Sequence, residues 1–210
     1  MSDKHLSWRF AEEFVVESPD ISLARQNSLE LGIEPVTPSV GSQLAVIAAA
    51  TVATNIIEIG TGVGVSGLWL LTGAPNATLT SIDVELDYHT VARKTFLDAG
   101  IAANRVRLIG GRASEVLPRM NESSYDIVFI DADASSVIEY VEHGLRLVRR
   151  GGTVLVAHAL WRGRVADPAQ RDDTVADFRL LLNEIATSEA VLSALSPAGD
   201  GLLQLTKIAD

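Results

Sequence analysis

A glycine-rich loop follows the first strongly apolar strand-like segment of the chain. Residues 55–71 read NIIEIGTGVGVSGLWLL and place four glycines within eight positions. Glycine lacks a Cβ atom and tolerates positive φ, so such a loop lets the backbone approach a ligand closely. Gly62, Gly64 and Gly67 match the G-x-G-x-x-G pattern of dinucleotide-binding loops. Asp83 follows about 20 residues later, as that pattern also requires.

Glu58 favours a different ligand. It stands at the end of the apolar segment, where the pyrophosphate of a dinucleotide would bring two anions together at short range. The ammonium group of a zwitterionic amino acid would suit a carboxylate there, directly or through water. Gly60 rather than Gly62 opens the turn after the strand, which also departs from the dinucleotide pattern. The alternative is that Glu58 only caps nearby backbone N–H groups.

The segments around this loop predict the fold. From Asn55 onward, apolar strand-like segments alternate with amphipathic helical ones, which is typical of a parallel sheet covered on both faces. We therefore predict an α/β fold, with a doubly wound, mostly parallel, Rossmann-like sheet of seven strands. A C-terminal antiparallel hairpin and an N-terminal helical extension complete it. The predicted strands are NIIEI, TLTSID, RVRLIG, YDIVFID, GTVLVAH, AVLSALSP and GLLQLTK.

Candidate polar residues lie at the carboxyl ends of these strands, where such sheets bind their ligands. Asp83 is placed to accept hydrogen bonds from ribose hydroxyls. A dinucleotide and a nucleoside that carries an amino acid would both offer this contact, so it does not distinguish them. Asp83 could instead cap a turn or helix. The other candidates are Glu58 with its loop, residues 111–113, residues 131–134, and Ala157 with His158.

Length and composition limit the possible classes. We expect one domain over residues 1–210, with residues 1–34 as the extension and residues 35–210 as the cofactor-binding core. A formal charge of −10 argues against nucleic acid or an anionic membrane as the main partner. The absence of cysteine excludes disulfides, thiolate zinc sites and a cysteine nucleophile. With neither a signal-peptide pattern nor a bilayer-length apolar run, we expect a cytoplasmic protein.

Several motifs together resemble a known family. EIGTGVGVSGLWL, SID, GRASEVLP, YDIVFIDAD, LRLVRRGGTVLV and AGDGLLQLTK resemble the small O-methyltransferases typified by the catechol and caffeoyl-CoA O-methyltransferases, and more narrowly their actinobacterial group. The resemblance runs from about Pro35 to the C-terminus. It implies the methyltransferase version of the doubly wound sheet. It also implies S-adenosylmethionine as cofactor and S-adenosylhomocysteine as product.

The resemblance also implies cofactor-binding positions. Ser66 would help to hold the amino-acid part, although it could instead cap the start of a helix. Asp83 would hold the ribose, Ala113 would pack beside the adenine, and Asp131 would lie beside the sulfonium and the acceptor. The remaining positions serve the methionine end: Val36, Glu58, Gly60 and Thr61.

The metal site of the family is largely missing. Relatives that methylate catechols bind a divalent cation through oxygen ligands. The first ligand falls on Asp131, but the usual Asp-Asn pair falls on Ala157 and His158, and a frequent lysine falls on Ala134. We therefore expect no metal, although Asp131, Asp133 and His158 could together hold a softer ion.

His158 is a candidate general base, because neutral imidazole is available near neutral pH. Its side chain could instead simply fill the pocket and form a hydrogen bond with a neighbouring residue. In the following segment ALWRGRVADP, Trp161 could stack on a planar acceptor or bury against a partner subunit. Arg162 or Arg164 could meet an anionic acceptor. An N-terminal helix with several aromatic side chains on one side predicts a dimer contact or a lid, and we expect a homodimer.

These features predict an S-adenosylmethionine-dependent O-methyltransferase that acts on a hydroxyl of a small aromatic acceptor, with Asp131 and His158 as catalytic residues. Two alternatives remain open. One is an NAD(P)-dependent oxidoreductase, for which no Tyr-x-x-x-Lys pair is evident. The other is a non-catalytic protein that binds S-adenosylmethionine, which the missing metal ligands and lysine favour.

Overall fold

The computed structural model of the chain describes residues 3–209. Its centre is a seven-stranded sheet in the order β3-β2-β1-β4-β5-β7-β6. The strands are β1 (Asn55–Ile59), β2 (Thr78–Asp83), β3 (Val106–Gly110), β4 (Tyr125–Ile130), β5 (Val148–Val156), β6 (Val191–Ser196) and β7 (Leu202–Lys207). The first five strands pair in parallel, while β7 runs antiparallel to both β5 and β6. The predicted mostly parallel sheet with a closing hairpin is confirmed.

Helices cover both faces of the sheet. They are α1 (Asp3–Phe14), α2 (Pro19–Glu30), α3 (Pro38–Ala50), α4 (Val65–Gly73), α5 (Leu86–Asp98), α6 (Ala113–Val116), α7 (Val137–Leu147) and α8 (Asp173–Thr187). Successive strand residues point to opposite faces, so Ile56 belongs to the core under α3 and α4. Ile57 belongs to the core under α7 and α8. Both residues are fully buried, which explains why the central strands are apolar throughout.

The N-terminal extension consists of two helices. Ser18 caps α2 by accepting a hydrogen bond from the Ile21 amide, and Pro19 supplies the fixed φ of a first helical residue. α1 is joined to α3 through Glu12, whose carboxylate accepts hydrogen bonds from the Thr37 hydroxyl at 3.0 Å and the Ser39 amide at 2.9 Å. α1 is therefore fastened to the start of α3, while Ile21 and Ala24 of α2 belong to the same core as Ile56.

Two element boundaries differ from the sequence reading. The sequence pattern predicts a buried helix from Ser42 to Thr51, but α3 begins four residues earlier, at Pro38, because Thr37 acts as its N-cap. The segment VIEYVEHGLRLVRRG predicts a helix that ends just before Gly151. α7 instead ends at Leu147, and the chain is already extended at Val148, which is fully buried and pairs with Tyr125. The register of β4 and β5 shifts just beyond this pair, where Gly151 has a φ of +81°.

Among residues 3–209, no helix is both long and apolar enough to cross a membrane.

Candidate active site

The site lies where the strand order reverses, between the ends of β1 and β4. β2 and β3 lie on one side of β1, and β4 and β5 lie on the other, so the crevice opens at the topological switch point of the sheet. Gly60 leaves β1 with a φ of +95°, and a Cβ atom there would lie 1.8 Å from the backbone oxygen of Asp131. The Asp131 amide in turn donates a hydrogen bond of 2.8 Å to the Ile59 carbonyl. Only glycine fits between the two strand ends.

Asp83 fixes the glycine-rich loop. One oxygen of its carboxylate accepts hydrogen bonds of 2.9 Å from the amides of Thr61 and Gly62. The other oxygen accepts one of 2.9 Å from the Glu85 amide. The capping role that the sequence left open for Asp83 is therefore present in the structure. Asp83 also lines the crevice, so both of its possible roles meet at one side chain.

Glu58 lies beneath the crevice wall rather than in it. Its side chain is fully buried, and its two oxygens accept hydrogen bonds of 2.6 Å from the hydroxyls of Ser66 and Ser81. The Thr61 hydroxyl lies 2.6 Å from that of Ser81 and extends the network. Burial raises the pKa of Glu58 to about 7, although the two serine hydrogen bonds oppose this shift. Ser66 forms the wall of the crevice in front of Glu58.

The crevice has two adjoining compartments that share Gly60, Asp83 and Asp131. The first, of about 140 Å³, lies between the glycine-rich loop and the α2–α3 connection. The second, of about 180 Å³, lies towards α6 and α7. The predicted residues in the first compartment are Val36, Gly60, Thr61, Ser66, Asp83 and Asp131. Those in the second are Gly60, Asp83, Ala113 and Asp131. The structure thus brings every predicted cofactor residue except Glu58 onto the walls of one crevice.

Several wall residues were not predicted from the sequence, and three of them have ionisable side chains. Glu34 and Tyr88 line the first compartment, and Tyr140 lines the second. Glu34 lies in the same connection as Val36, and Tyr88 lies in the first turns of the helix that follows Asp83. Their nearness to predicted residues was the only available signal. Tyr140 lies within α7 and carried none.

The crevice is acidic. Glu34, Asp83, Asp131 and Asp133 line it, and neither lysine nor arginine is among the described residues that form its two compartments. Burial raises the pKa of Asp131; the nearby His158 opposes that shift and the negative charge of Glu34 adds to it. A site of this charge attracts cations and repels polyanions.

His158 is the second residue after β5 and has a left-handed φ of +55°. Its Nε2 atom lies 3.5 Å from an Asp131 oxygen. Its Nδ1 atom lies 3.6 Å from an oxygen of Asp200, in the turn between β6 and β7. The structure therefore brings the two predicted catalytic residues together and adds a third group, Asp200. Sequence reasoning quoted the AGDG turn but gave Asp200 no role.

Asp133 does not join this group. Its oxygens accept hydrogen bonds from the Tyr140 hydroxyl at 2.8 Å and the Ser136 hydroxyl at 2.5 Å. Burial, with the acceptor Asp133 beside it, raises the pKa of Tyr140 to about 12. Within residues 3–209, no group of three or more histidine, aspartate or glutamate side chains is arranged to hold a metal ion. The soft-ion site considered for Asp131, Asp133 and His158 is therefore not formed.

The three candidate residues in the loop after β5 contact different partners. The Trp161 ring stacks on Phe178 of α8, with ring centroids 5.8 Å apart, so it packs against a helix of its own chain. Arg164 pairs with Asp172 at 2.6 Å. Arg162 pairs with Glu34 at 3.0 Å. Because Glu34 lines the first compartment, Arg162 is the arginine at the mouth of the crevice.

The sheet order, the crevice at its switch point and the carboxylates around a glycine-rich loop define a nucleotide-cofactor-binding α/β protein. Residues 23–208 match the model of the O-methyltransferase family, and the chain belongs to that family. A protein of Mycobacterium avium named "Putative O-methyltransferase" is 45% identical over 194 residues, which cover 92% of this chain and 87% of that protein.

Two solved structures are similar over nearly the whole chain. A protein from Corynebacterium glutamicum has a TM-score of 0.90 at 30% identity, with 99% of each chain covered. The O-methyltransferase TomG from Streptomyces achromogenes, involved in tomaymycin synthesis and solved in complex with SAM, has a TM-score of 0.85 at 28% identity. All of both chains is covered in that comparison.

Proposed function

We propose that this chain transfers the methyl group of S-adenosylmethionine to a hydroxyl of a small aromatic acceptor. The observation that carries the proposal is the acidic crevice beyond β1 and β4. S-adenosylmethionine brings a sulfonium and an ammonium cation, which the four wall carboxylates favour. The pyrophosphate of a nicotinamide dinucleotide would meet the same carboxylates unfavourably. The family membership and the SAM complex of TomG support the same cofactor.

The crevice residues fit the two ends of this cofactor. Ser66, Thr61 and Gly60 would hold the amino-acid part beside Val36, with buried Glu58 acting through the Ser66 hydroxyl. Asp83 would hold the ribose while it keeps the loop in place. Ala113, at the start of α6 in the second compartment, would pack beside the adenine. Asp131 is shared by both compartments, which suits a position beside the sulfonium.

Proximity and proton removal supply the catalysis in this proposal. The bound donor supplies an electrophilic methyl group, whose bond to sulfur breaks as the bond to the acceptor oxygen forms. In this proposal Asp131 and His158 act on the acceptor together; the Nε2 atom of His158 lies 3.5 Å from an Asp131 oxygen. His158 takes the hydroxyl proton on Nε2, and Asp131 orients the acceptor and stabilises the resulting imidazolium. Alignment of the acceptor oxygen with the methyl group contributes most of the acceleration.

The residues at the family's metal position do not fit a hard divalent cation. Asp131 is the sole carboxylate of that set, and Ala157 and His158 occupy the places of the oxygen ligands. Magnesium and calcium need several oxygen ligands, which these residues do not supply. We therefore route no step of the reaction through a metal and propose that turnover is independent of one.

Turnover with added acceptors tests the function. Purified protein is incubated with radiolabelled methyl donor and a panel of phenols and catechols, with and without chelator. We expect methylated product from at least one phenolic acceptor, and the same rate with chelator. Asp131→Asn should lose activity, while Asp87→Asn, an exposed carboxylate on α5, should keep it. Tight donor binding without turnover on the whole panel would favour the alternative of a non-catalytic binding protein.

We also propose a homodimer in the cytoplasm. The side chains of Phe10 and Phe14 on α1 are 71% and 77% exposed, a costly arrangement unless a partner covers them. The absence of cysteine is compatible with a reducing compartment. Light scattering tests the oligomeric state: we expect a dimer for the natural chain and a monomer for the Phe10→Ser, Phe14→Ser double variant. A natural chain that scatters as a monomer would refute this part of the proposal.

A further inference from the structure

The loop that carries His158 is held in an unusual backbone conformation. His158, Trp161 and Arg162 all have left-handed φ values, of +55°, +47° and +55°. Residues other than glycine seldom adopt this region, and they persist there only when their surroundings impose it. Clusters of such residues are found at active sites and ligand clamps.

The turn between β6 and β7 holds the loop that carries His158 in this left-handed conformation. The Asp200 carboxylate accepts a hydrogen bond of 2.5 Å from the Arg162 amide, and the Asp200 carbonyl accepts one of 2.9 Å from the Leu160 amide. The Gly201 carbonyl accepts one of 3.0 Å from the Ala159 amide. Gly201 has a φ of +92°, and a Cβ atom there would lie 2.6 Å from the Leu160 side chain. The turn and the loop are therefore built to approach each other closely.

The same Asp200 oxygen that accepts the Arg162 amide lies 3.6 Å from Nδ1 of His158. On the other side of the ring, Nε2 lies 3.5 Å from Asp131. The imidazole thus lies between two carboxylates, with one nitrogen directed to each. These distances are longer than direct hydrogen bonds, and catalytic hydrogen bonds in ligand-free enzymes commonly shorten when the substrate complex forms.

We propose that Asp200 is a positioning residue for the methyl transfer: it keeps the proton of neutral His158 on Nδ1 and so leaves Nε2 free to accept the acceptor's proton. The inference rests on the proposed function, because it assigns His158 as the base. A neutral imidazole carries one proton, and the partner of one nitrogen decides which nitrogen holds it. Asp200 beside Nδ1 favours the Nδ1–H form. Asp131 lies at a similar distance from Nε2, but burial raises the pKa of Asp131 and so weakens it as an anionic partner of that nitrogen, and the lone pair that remains on Nε2 faces Asp131.

Two variants separate positioning from loop stability. Asp200→Asn keeps an oxygen for the Arg162 amide but removes the charge beside Nδ1, whereas Asp200→Ala removes both. Asp167→Asn is the matched control, since Asp167 also accepts a backbone amide in this loop, that of Ala169, and contacts neither ring nitrogen of His158. Thermal melts establish that each variant is folded before it is compared. If Asp200→Ala does not fold, the decision rests on Asp200→Asn under the same criteria.

The readouts are kinetics and nitrogen NMR of the imidazoles. The chain has four histidines, so the His158 signals can be assigned with His158→Gln. At a pH where His158 is neutral, we expect Nδ1 to be the protonated nitrogen in the natural chain and in Asp167→Asn, and protonation to move towards Nε2 in Asp200→Ala and Asp200→Asn. We expect kcat to fall at least tenfold in Asp200→Ala, by roughly the loss that follows removal of an orienting partner, and less in Asp200→Asn. The KM for the methyl donor should change less than about twofold.

Two results would overturn the inference: an unchanged tautomer in the folded Asp200 variants, or unchanged kcat where the natural chain is active. The NMR result does not depend on turnover. A natural chain that shows the Nδ1–H form but methylates no acceptor would refute the proposed function and, with it, the catalytic role of Asp200. A natural chain that turns over while Asp200 has no effect on either readout refutes only the inference.

Discussion

A Cβ atom on Gly60 would lie 1.8 Å from the backbone oxygen of Asp131. This relationship joins the ends of β1 and β4, the two strands between which the crevice opens. Gly60 therefore has two reasons to be glycine: its φ of +95° and the adjacent carbonyl. The same contact sets the distance between the glycine-rich loop and Asp131, so the shape of both crevice compartments depends on it.

Gly60→Ala should lower the free energy of unfolding by more than about 2 kcal/mol, because it adds a backbone collision to an unfavourable φ. Gly100→Ala is the matched control, since Gly100 has a φ of +73° but no neighbouring atom within 4 Å of a built Cβ. It should cost only about 1 kcal/mol. Urea denaturation of both variants measures the difference, and equal losses would show that the contact with Asp131 is unimportant.

Glu58 should make stability depend on pH. Its pKa is about 7 in the folded chain and 4.5 in its ordinary state, so folding favours the protonated form. The stabilisation is complete below about pH 4.5 and is lost as the pH rises through 7, with a total of order 3 kcal/mol. Glu58→Gln removes this dependence while it keeps a hydrogen-bonding side chain for Ser66 and Ser81. Urea denaturation from pH 4.5 to 8 should therefore give curves that diverge in favour of the variant as the pH rises. Parallel curves would contradict the buried, hydrogen-bonded position of Glu58.

Asp83→Asn should damage both the loop and donor binding. The amide has one oxygen, so its NH2 group must face either the Thr61 and Gly62 amides or the Glu85 amide, where two donors then meet. We expect a loss of about 1–3 kcal/mol in the free energy of unfolding and at least a tenfold weaker affinity for the methyl donor. Asp87→Asn, on the following helix, should leave both unchanged. Thermal melts and calorimetric titration provide the two measurements; normal affinity in a folded Asp83→Asn would remove Asp83 from the cofactor site.

Arg162 should affect acceptor choice rather than stability. It and Glu34 are mostly exposed, so their ion pair contributes at most about 1 kcal/mol to folding. We expect Arg162→Gln to raise the KM of a carboxylate-bearing phenol by about five- to tenfold and to leave a neutral phenol unaffected. Arg164→Gln, whose parent residue pairs with Asp172 away from the crevice, should change neither value. Steady-state kinetics with both acceptors decide, and equal effects of the two variants would exclude Arg162 from acceptor recognition.

The sequence predicted the sheet well because each central strand is buried on both faces. Ile56 and Ile57 belong to opposite cores, so the strand reads as a continuous apolar run with Gly60 at its end. The candidate residues at the strand ends were predicted for the same reason, because they lie where these apolar runs end. The end of α7 was misplaced because Gly151 looked like a helix stop, whereas it lies in an irregular part of β5.

Residues brought in from distant segments could not be predicted. Asp200 reaches His158 only because β7 inserts beside β5, and a turn sequence does not show which loop it will approach. The full burial of Glu58 was missed for a related reason: Ser81 comes from the neighbouring strand, and its hydroxyl takes the second carboxylate oxygen. Trp161 was considered for the acceptor site because of its loop position, but Phe178 on α8 provides its stacking partner.

Calorimetric titration with S-adenosylmethionine and NAD, in the presence of chelator, tests the central claim most directly. The acidic crevice predicts one donor molecule bound per chain, weaker binding by Ser66→Ala, which removes the hydroxyl in front of Glu58, and no measurable binding of NAD. Binding of NAD without binding of S-adenosylmethionine would contradict the account.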